Sequence, residues 1–326
     1  MDNTKPTLMN ALGELVYLRP LILVVPMTLA GLLAAGPFRL GRALLTVAII
    51  VVADLGANII NNYSDWDIDR MNGKRAALHA VFTKGSLIGV YLGTLAVLGG
   101  VLLALSANAL LIASSAGFAL LGALYSVGPK LKDRTPWNYA AIAVAYAGLA
   151  FYIGLFSQSG SLELLVSWLP VVAAVVLFDF GYCITKDYVD YEGDRHFGKR
   201  TLPVLLGKRK SLAVQAAVIC AAYLLLAAAL VFDWIPPVYS AFYLSFVVAV
   251  YMLHKAGASD EHDELKKAFY IAGYNGMFVR VILIGAVIVG ASPAMMVADG
   301  SSGSVDGSHA HRSHESAPLW RPMVGG

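Results

Sequence analysis

Followed along its apolar and polar positions, the chain is a succession of long apolar runs joined by short polar connections. A helix needs about 20 apolar residues to cross roughly 30 Å of hydrocarbon. Runs of that length lie near 16–36, 43–61, 86–106, 108–126, 138–158, 165–186, 212–232, 238–254 and 268–292, and they predict nine spans. A polar lead (1–15) precedes the first run, and no small-residue cleavage site closes it. It therefore reads as a membrane span and not as a removed signal. The expected fold class is an all-α polytopic membrane protein.

Composition agrees with this pattern. Of 326 residues, 58% are hydrophobic and only 14% charged, and the mean hydropathy is +0.67. A soluble domain of this size would need more charge to cover its surface. Net charge, +3, decides little. The placement of charge decides more, because most of the 24 Lys and Arg fall in the segments after spans two, four, six and eight, and the connections after spans three, five and seven carry none. The positive-inside rule then puts the N-terminus and the charged connections in the cytoplasm and the C-terminus outside. Cys183 and Cys220 both lie in apolar runs, which points to packing and away from a disulfide framework.

The chain also repeats itself at an offset of 125 residues. "NYSDWDIDRMNGKR" (62–75) lies over "DYVDYEGDRHFGKR" (187–200) with seven identities in fourteen positions, and the same offset pairs Asp54 with Asp179 and Asn61 with Lys186. This predicts a duplicated four-helix unit (about 16–137 and 138–267) plus one extra helix (268–292), with the two acidic loops facing each other.

Each copy has the makings of a site. Asn61, Asp65 and Asp69 are spaced i, i+4, i+8 and share one face if the second helix continues beyond the membrane. Asp54 and Asn58 extend that face into the bilayer. In the second copy Asp179, Tyr182, Lys186, Asp190 and Asp194 are similarly spaced, while Asp67 and Glu192 fall off the face. Both copies close in Gly-Lys-Arg, at Lys74 and Arg75 and at Lys199 and Arg200. Acids followed by bases suit a diphosphate: carboxylates hold Mg²⁺, the ions bridge the phosphates, and cations bind the remaining oxygens. A single such acid pair is usually a solvated loop, but two in register with polar residues continuing into the span are harder to explain that way.

At these residues the chain resembles the UbiA-type intramembrane prenyltransferase superfamily. The likeness rests on Asn61, Asp65 and Asp69, on Tyr182, Lys186, Asp190 and Asp194, on "KDYVDYEGDRHFGKRTLPVLLG" (186–207) and on "LYSVGPKLK" (124–132). It departs at Asn62, where an Asp is usual, and at "AALHAVFTKG" (76–85), which replaces the family's Arg-Pro pattern. The resemblance implies helices around a central apolar cavity under a cytoplasmic polar cap. An allylic prenyl diphosphate would lay its tail in the cavity, and its prenyl group would pass to a hydrophobic acceptor with diphosphate released. Asn61, Asp65, Asp69, Asp190 and Asp194 would be metal ligands for Mg²⁺, with Tyr182 and Lys186 among the catalytic groups. Asn58, Lys74, Arg75, Lys199, Arg200, Lys130, Arg134 and Arg280 would bind substrate. An aromatic or quinone-type acceptor is the preferred expectation, a lipid hydroxyl the alternative, and a prokaryotic cell membrane the implied location.

Some features carry bland readings beside these. Lys130, Lys132 and Arg134 also fit an ordinary positive-inside loop, and Arg280, near Asn275 in the last span, needs a partner that Asp54 or Asp179 would supply. The tail (293–326), with His309, His311 and His314, reads as disordered. Nucleic-acid modules, phosphate loops and an obligate protein partner have no signature in the sequence. Two rivals share the pattern: a terpene cyclase on the same scaffold, separated by whether turnover needs a second substrate, and a repeat-based transporter, separated by whether the acid clusters lie on opposite faces.

Overall fold

The computed structural model describes residues 7–16, 20–71 and 73–289. These residues form helices throughout: α1 (Leu8–Leu15), α2 (Leu21–Ala34), α3 (Leu40–Met71), α4 (Ala76–Val81), α5 (Lys84–Ala104), α6 (Ala109–Ser126) and α7 (Trp137–Ala143). A π-helical turn, Val144–Leu149, joins α7 to α8 (Ala150–Gln158). After these come α9 (Leu162–Val189), α10 (Tyr191–His196), α11 (Leu202–Leu206), α12 (Lys208–Val231), α13 (Leu244–Ala258) and α14 (His262–Ile288). Among the described residues eight helical stretches are long and apolar enough to cross a membrane, with α7 to α8 (Trp137–Gln158) counted as one and α13 joined to the turn before it (Pro237–Ala258), and α2 is a shorter apolar helix.

The structure departs from the expected spans in two places. The polar lead itself is helical: α1 is capped by Thr7, which accepts from the Asn10 amide, while the helix of the first run, α2, starts later, with Pro20 at its N-cap. A proline's fixed φ and missing amide hydrogen suit the start of a helix. α1 packs against α4, and Glu14 accepts the Leu78 amide at 2.7 Å. The polar lead is thus partly built into the fold. The last span starts earlier than expected, at His262, with Glu264 tied to Lys255 and Lys267. The His-containing tail lies outside the described residues.

Inside a membrane, helices gain little from apolar contact alone and associate through close backbone approach and polar ties. Both occur. A Cβ on Gly31 would sit 1.9 Å from the Phe151 carbonyl oxygen, and one on Gly154 would sit 1.9 Å from that of Thr28. Helices α2 and α8 therefore touch through reciprocal glycines. Gly122 of α6 stands in the same relation to Ala57 of α3, at 2.7 Å. The polar tie is Arg280 of α14, which donates to Asp179 of α9 at 2.5 and 3.2 Å and to the Leu23 carbonyl of α2 at 2.8 Å. One guanidinium joins three helices.

Candidate active site

The two motif helices end differently. α3 runs unbroken through Asn61, Asp65 and Asp69 to Met71, so these residues do share one face. α9 ends at Val189, and Asp190 leaves the helical conformation before the short α10. The expected single face for Asp190 and Asp194 is therefore replaced by a bend. Both copies then finish alike. Gly73 and Gly198 take left-handed φ values of 63° and 67°, which glycine adopts without a Cβ clash. The Lys74 amide donates to the Asp69 carbonyl and the Lys199 amide to the Asp194 carbonyl, both at 2.9 Å. The shared Gly-Lys-Arg is the cap that turns each chain back over its acids.

Between the copies lies a hollow of about 310 Å³. From the first copy Asn61, Asp65 and Ile68 line it, and from the second Lys186, Asp187, Asp190, Asp194 and Lys199. Lys130 and Lys132 enter from the loop between α6 and α7. Lys132 Nζ lies 2.5 Å from Asp65 Oδ1 and 3.0 Å from Asn61 Oδ1, which also accepts from Ser126 at 3.2 Å. Lys199 lies 3.0 Å from Asp194, whose side chain is nearly buried, and Lys186 lies 4.0 Å from Asp190. Below this polar hollow a second one, about 210 Å³, is lined by Asn58, Phe118, Leu121, Ala145 and Tyr146. The two share Asn61, Tyr125, Ile142 and Lys186 as walls. The two therefore adjoin along those walls, the first lined largely by polar residues and the second mostly by apolar ones.

Other expected residues lie elsewhere. Asp69 pairs with Arg75 at 3.3 Å, and neither, nor Lys74, Arg134 or Arg200, lines the hollow. Arg200 instead joins the loop before α7, its carbonyl accepting the Thr135 amide at 3.1 Å. Tyr182 is buried in the core, where its hydroxyl accepts from Asn275 at 2.7 Å. Arg280 is fully buried and all its described donors are used by Asp179, Leu23 and Gly276; it cannot reach a ligand in the hollow without breaking these ties. Asp67, off the motif face, is exposed and pairs with Lys84.

Asp187 and Tyr139 are among the lining residues that the sequence reading of the site did not name, while Lys132 was read there only as one of three loop cations that could bind diphosphate. Asp187 accepts from the Tyr139 hydroxyl at 2.5 Å, and that hydroxyl accepts the Leu202 amide at 3.1 Å. Asp187 was visible in the sequence as a charge beside Lys186 but was given no role there. Lys132 lay in a loop whose basic residues are equally common for topology alone.

Among the described residues no three His, Cys, Asp or Glu side chains gather closely enough to hold a metal by themselves. Mg²⁺ commonly takes one or two carboxylates and completes its shell with water and substrate phosphate. Asp65 on one wall and Asp190 and Asp194 on the other fit an ion that arrives with a diphosphate. Lysines beside each acid fit the remaining phosphate charge.

The sequence model of the UbiA prenyltransferase family matches residues 23–282, and the chain belongs to that family. It is an integral membrane protein and a prenyltransferase by family. Among its relatives, the digeranylgeranylglyceryl phosphate synthase of Methanoregula boonei is 28% identical over 234 residues, covering 71% of this chain and 78% of the relative. The synthase of the same name from Methanoculleus marisnigri is 32% identical over 218 residues, covering 66% and 74%. A UbiA homologue from Archaeoglobus fulgidus, solved with DMAPP and Mg²⁺, is 18% identical and superposes with a TM-score of 0.63 over 82% of this chain and 99% of its own.

Proposed function

We propose that the chain transfers a prenyl group from an allylic prenyl diphosphate to the free hydroxyl of a prenylated glycerol phosphate within the membrane. The observation that carries this is the convergence of Asp65 and Lys132 from one side, and Asp190, Asp194, Lys186 and Lys199 from the other, on one hollow that shares walls with a mostly apolar second one. Names of the two synthases favour a glycerol phosphate lipid over the aromatic acceptor that the sequence alone suggested. Both acid clusters face the same hollow, which counts against a transporter with one cluster on each side of the membrane. The same reading puts the charged loops in the cytoplasm and treats the two motif copies as products of one duplication.

In this mechanism the chamber walls do three things. Lys132, Lys186 and Lys199 hold the diphosphate and stabilise the charge that builds on it as the C1–O bond breaks. Mg²⁺, held by Asp65, Asp190 and Asp194 with the phosphates, would add Lewis-acid stabilisation of the same oxygens. The apolar lower chamber, with Phe118, Leu121 and Ala145, keeps water away from the allylic cation until the acceptor oxygen captures it. Ion pairs such as Asp65–Lys132 must part as the ligand enters, so the lysines exchange a carboxylate for a phosphate partner.

The test is purified protein in lipid nanodiscs with labelled geranyl or geranylgeranyl diphosphate, Mg²⁺, and a glycerol phosphate lipid bearing one prenyl ether and one free hydroxyl. Label should move into a diprenyl lipid, stop with EDTA and return with Mg²⁺. A cyclic or hydrocarbon product formed equally well without the lipid would replace transfer by cyclisation.

A further inference from the structure

The second hollow, about 210 Å³, has a definite depth. At its upper end stand Asn61 of α3, Tyr125 of α6, Ile142 of α7 and Lys186 of α9, the residues it shares with the polar hollow. From there its lining descends along three elements. On α3 it reaches Ala57, on α6 it passes Leu121 and Gly122 to Phe118, and past α7 it reaches Ala145 and Tyr146 in the π-helical turn. Phe118 is seven residues from Tyr125, so at about 1.5 Å of helical rise per residue it lies roughly 10 Å below the shared wall.

This lower end is aromatic and closed. The Phe118 and Tyr146 rings stack with centroids 6.2 Å apart and planes 13° from parallel. Beside them a Cβ on Gly117 would stand 3.4 Å from the Leu149 side chain, so α6 and the π-helical turn are in contact at this level. One turn further down, Ala53 of α3, Ser115 of α6 and Ala150 of α8 are buried in the packed interior. Phe118 belongs to the same core and is 1% exposed.

Two measures of the space agree on what fits above this floor. An extended chain advances about 1.2 Å per bond, hence about 5 Å per four-bond isoprene unit, so a depth of roughly 10 Å takes two units. By volume, an apolar cavity of about 150 Å³ holds one benzene, six carbons, and at that rate the hollow holds about eight. A ten-carbon chain fits if C1 and C2 stay at the shared wall, beside the diphosphate.

We infer that the stacked Phe118 and Tyr146 form a floor that sets the length of the donor, and that the prenyl diphosphate this chain uses best carries ten carbons, a geranyl chain. This rests on the prenyl-transfer reading above and adds the donor's length to it. A five-carbon chain leaves the lower half of the hollow unfilled and its contacts unmade. Chains of fifteen or twenty carbons meet the two rings and the packed residues beneath, and enter only by displacing a ring.

The experiment uses purified protein in lipid nanodiscs with Mg²⁺, the prenylated glycerol phosphate bearing a free hydroxyl, and labelled donors of five, ten, fifteen and twenty carbons. Wild type should show its highest kcat with ten carbons and a value at least about tenfold lower with twenty, the scale on which an apolar pocket rejects a misfit. F118A removes one ring of the floor and should raise the ratio of twenty-carbon to ten-carbon turnover about tenfold or more. A145L narrows the hollow above the floor and should move the optimum to five carbons. Comparing these ratios between proteins cancels unequal partitioning of the donors into lipid. Wild type that uses another length equally well or better, including the twenty-carbon chain named in the synthases it resembles, overturns the floor. So does an unchanged length profile in F118A or A145L. Should F118A fail to fold, the milder F118L takes its place. Wild type that moves no label from any donor overturns the transfer reading itself, a result distinct from an active enzyme with a different length profile.

Discussion

The two motif copies share seven of fourteen residues, yet the protein uses them differently. In the first, α3 carries Asn61, Asp65 and Asp69 on one continuous helix, and the cation beside Asp65 comes from another element, Lys132 of the loop before α7. In the second, the helix breaks at Asp190, and the cations Lys186 and Lys199 come from the motif itself. Deeper in the membrane the contrast reverses. Asp179 of the second copy is locked by Arg280 into a three-helix tie, while Asp54 of the first is buried and accepts from the neutral Asn58. Register between repeats therefore conserves where a charge stands, not what it does. Its neighbours from other helices decide that.

The comparison can be broken most sharply at the cap. Asp65→Ala and Asp190→Ala should each lower transfer by about 10³-fold or more, since each removes a carboxylate expected to hold metal and diphosphate. Labelled transfer with normal elution on gel filtration checks this, and near-normal turnover in either would make the two halves unequal. Next in size is the locked pair. Arg280→Met strands a buried Asp179 and should cost about 3–5 kcal/mol of stability. The double change Asp179→Leu with Arg280→Met should recover most of it, read as thermal unfolding in detergent. If the double variant is as unstable as the single, the tie to the Leu23 carbonyl matters more than the ion pair.

A smaller effect separates the borrowed lysine from the built-in one. Lys132→Ala and Lys199→Ala should each raise the KM for prenyl diphosphate about tenfold, the size of one lost charge-assisted hydrogen bond. A much larger loss for Lys132→Ala would show that the loop before α7 also positions Asn61 and Asp65. The smallest effect belongs to Asp67, exposed and paired with Lys84 at the surface. Asp67→Ala should change stability by under about 0.5 kcal/mol and leave turnover unchanged.

Much of this was legible in the sequence because it depends on local pattern. Apolar run length reports a membrane span directly, since every backbone polar group in lipid must be satisfied within a helix. The spacing of Asn61, Asp65 and Asp69 reports a face for the same reason, and it holds because α3 is regular through those residues. Spacing failed where the backbone stopped being regular. Asp190 leaves the helix, so Asp194 reaches the hollow through a bend and not along a continuous helical face.

What the sequence by itself determined, then, is the membrane class, the two acid-and-base motifs and the family to which they belong. Tertiary structure decided which helix supplies each partner. Lys132 reaches Asp65 across 67 residues, Arg280 reaches Asp179 across 101, and Tyr139 reaches Asp187 across 48. The physical reason is that in a low-dielectric interior a buried charge or polar group must find a partner, and several candidates lie along the chain for each one. Only the packing of helices, fixed by contacts such as Gly31 against Phe151 and Gly122 against Ala57, selects among them.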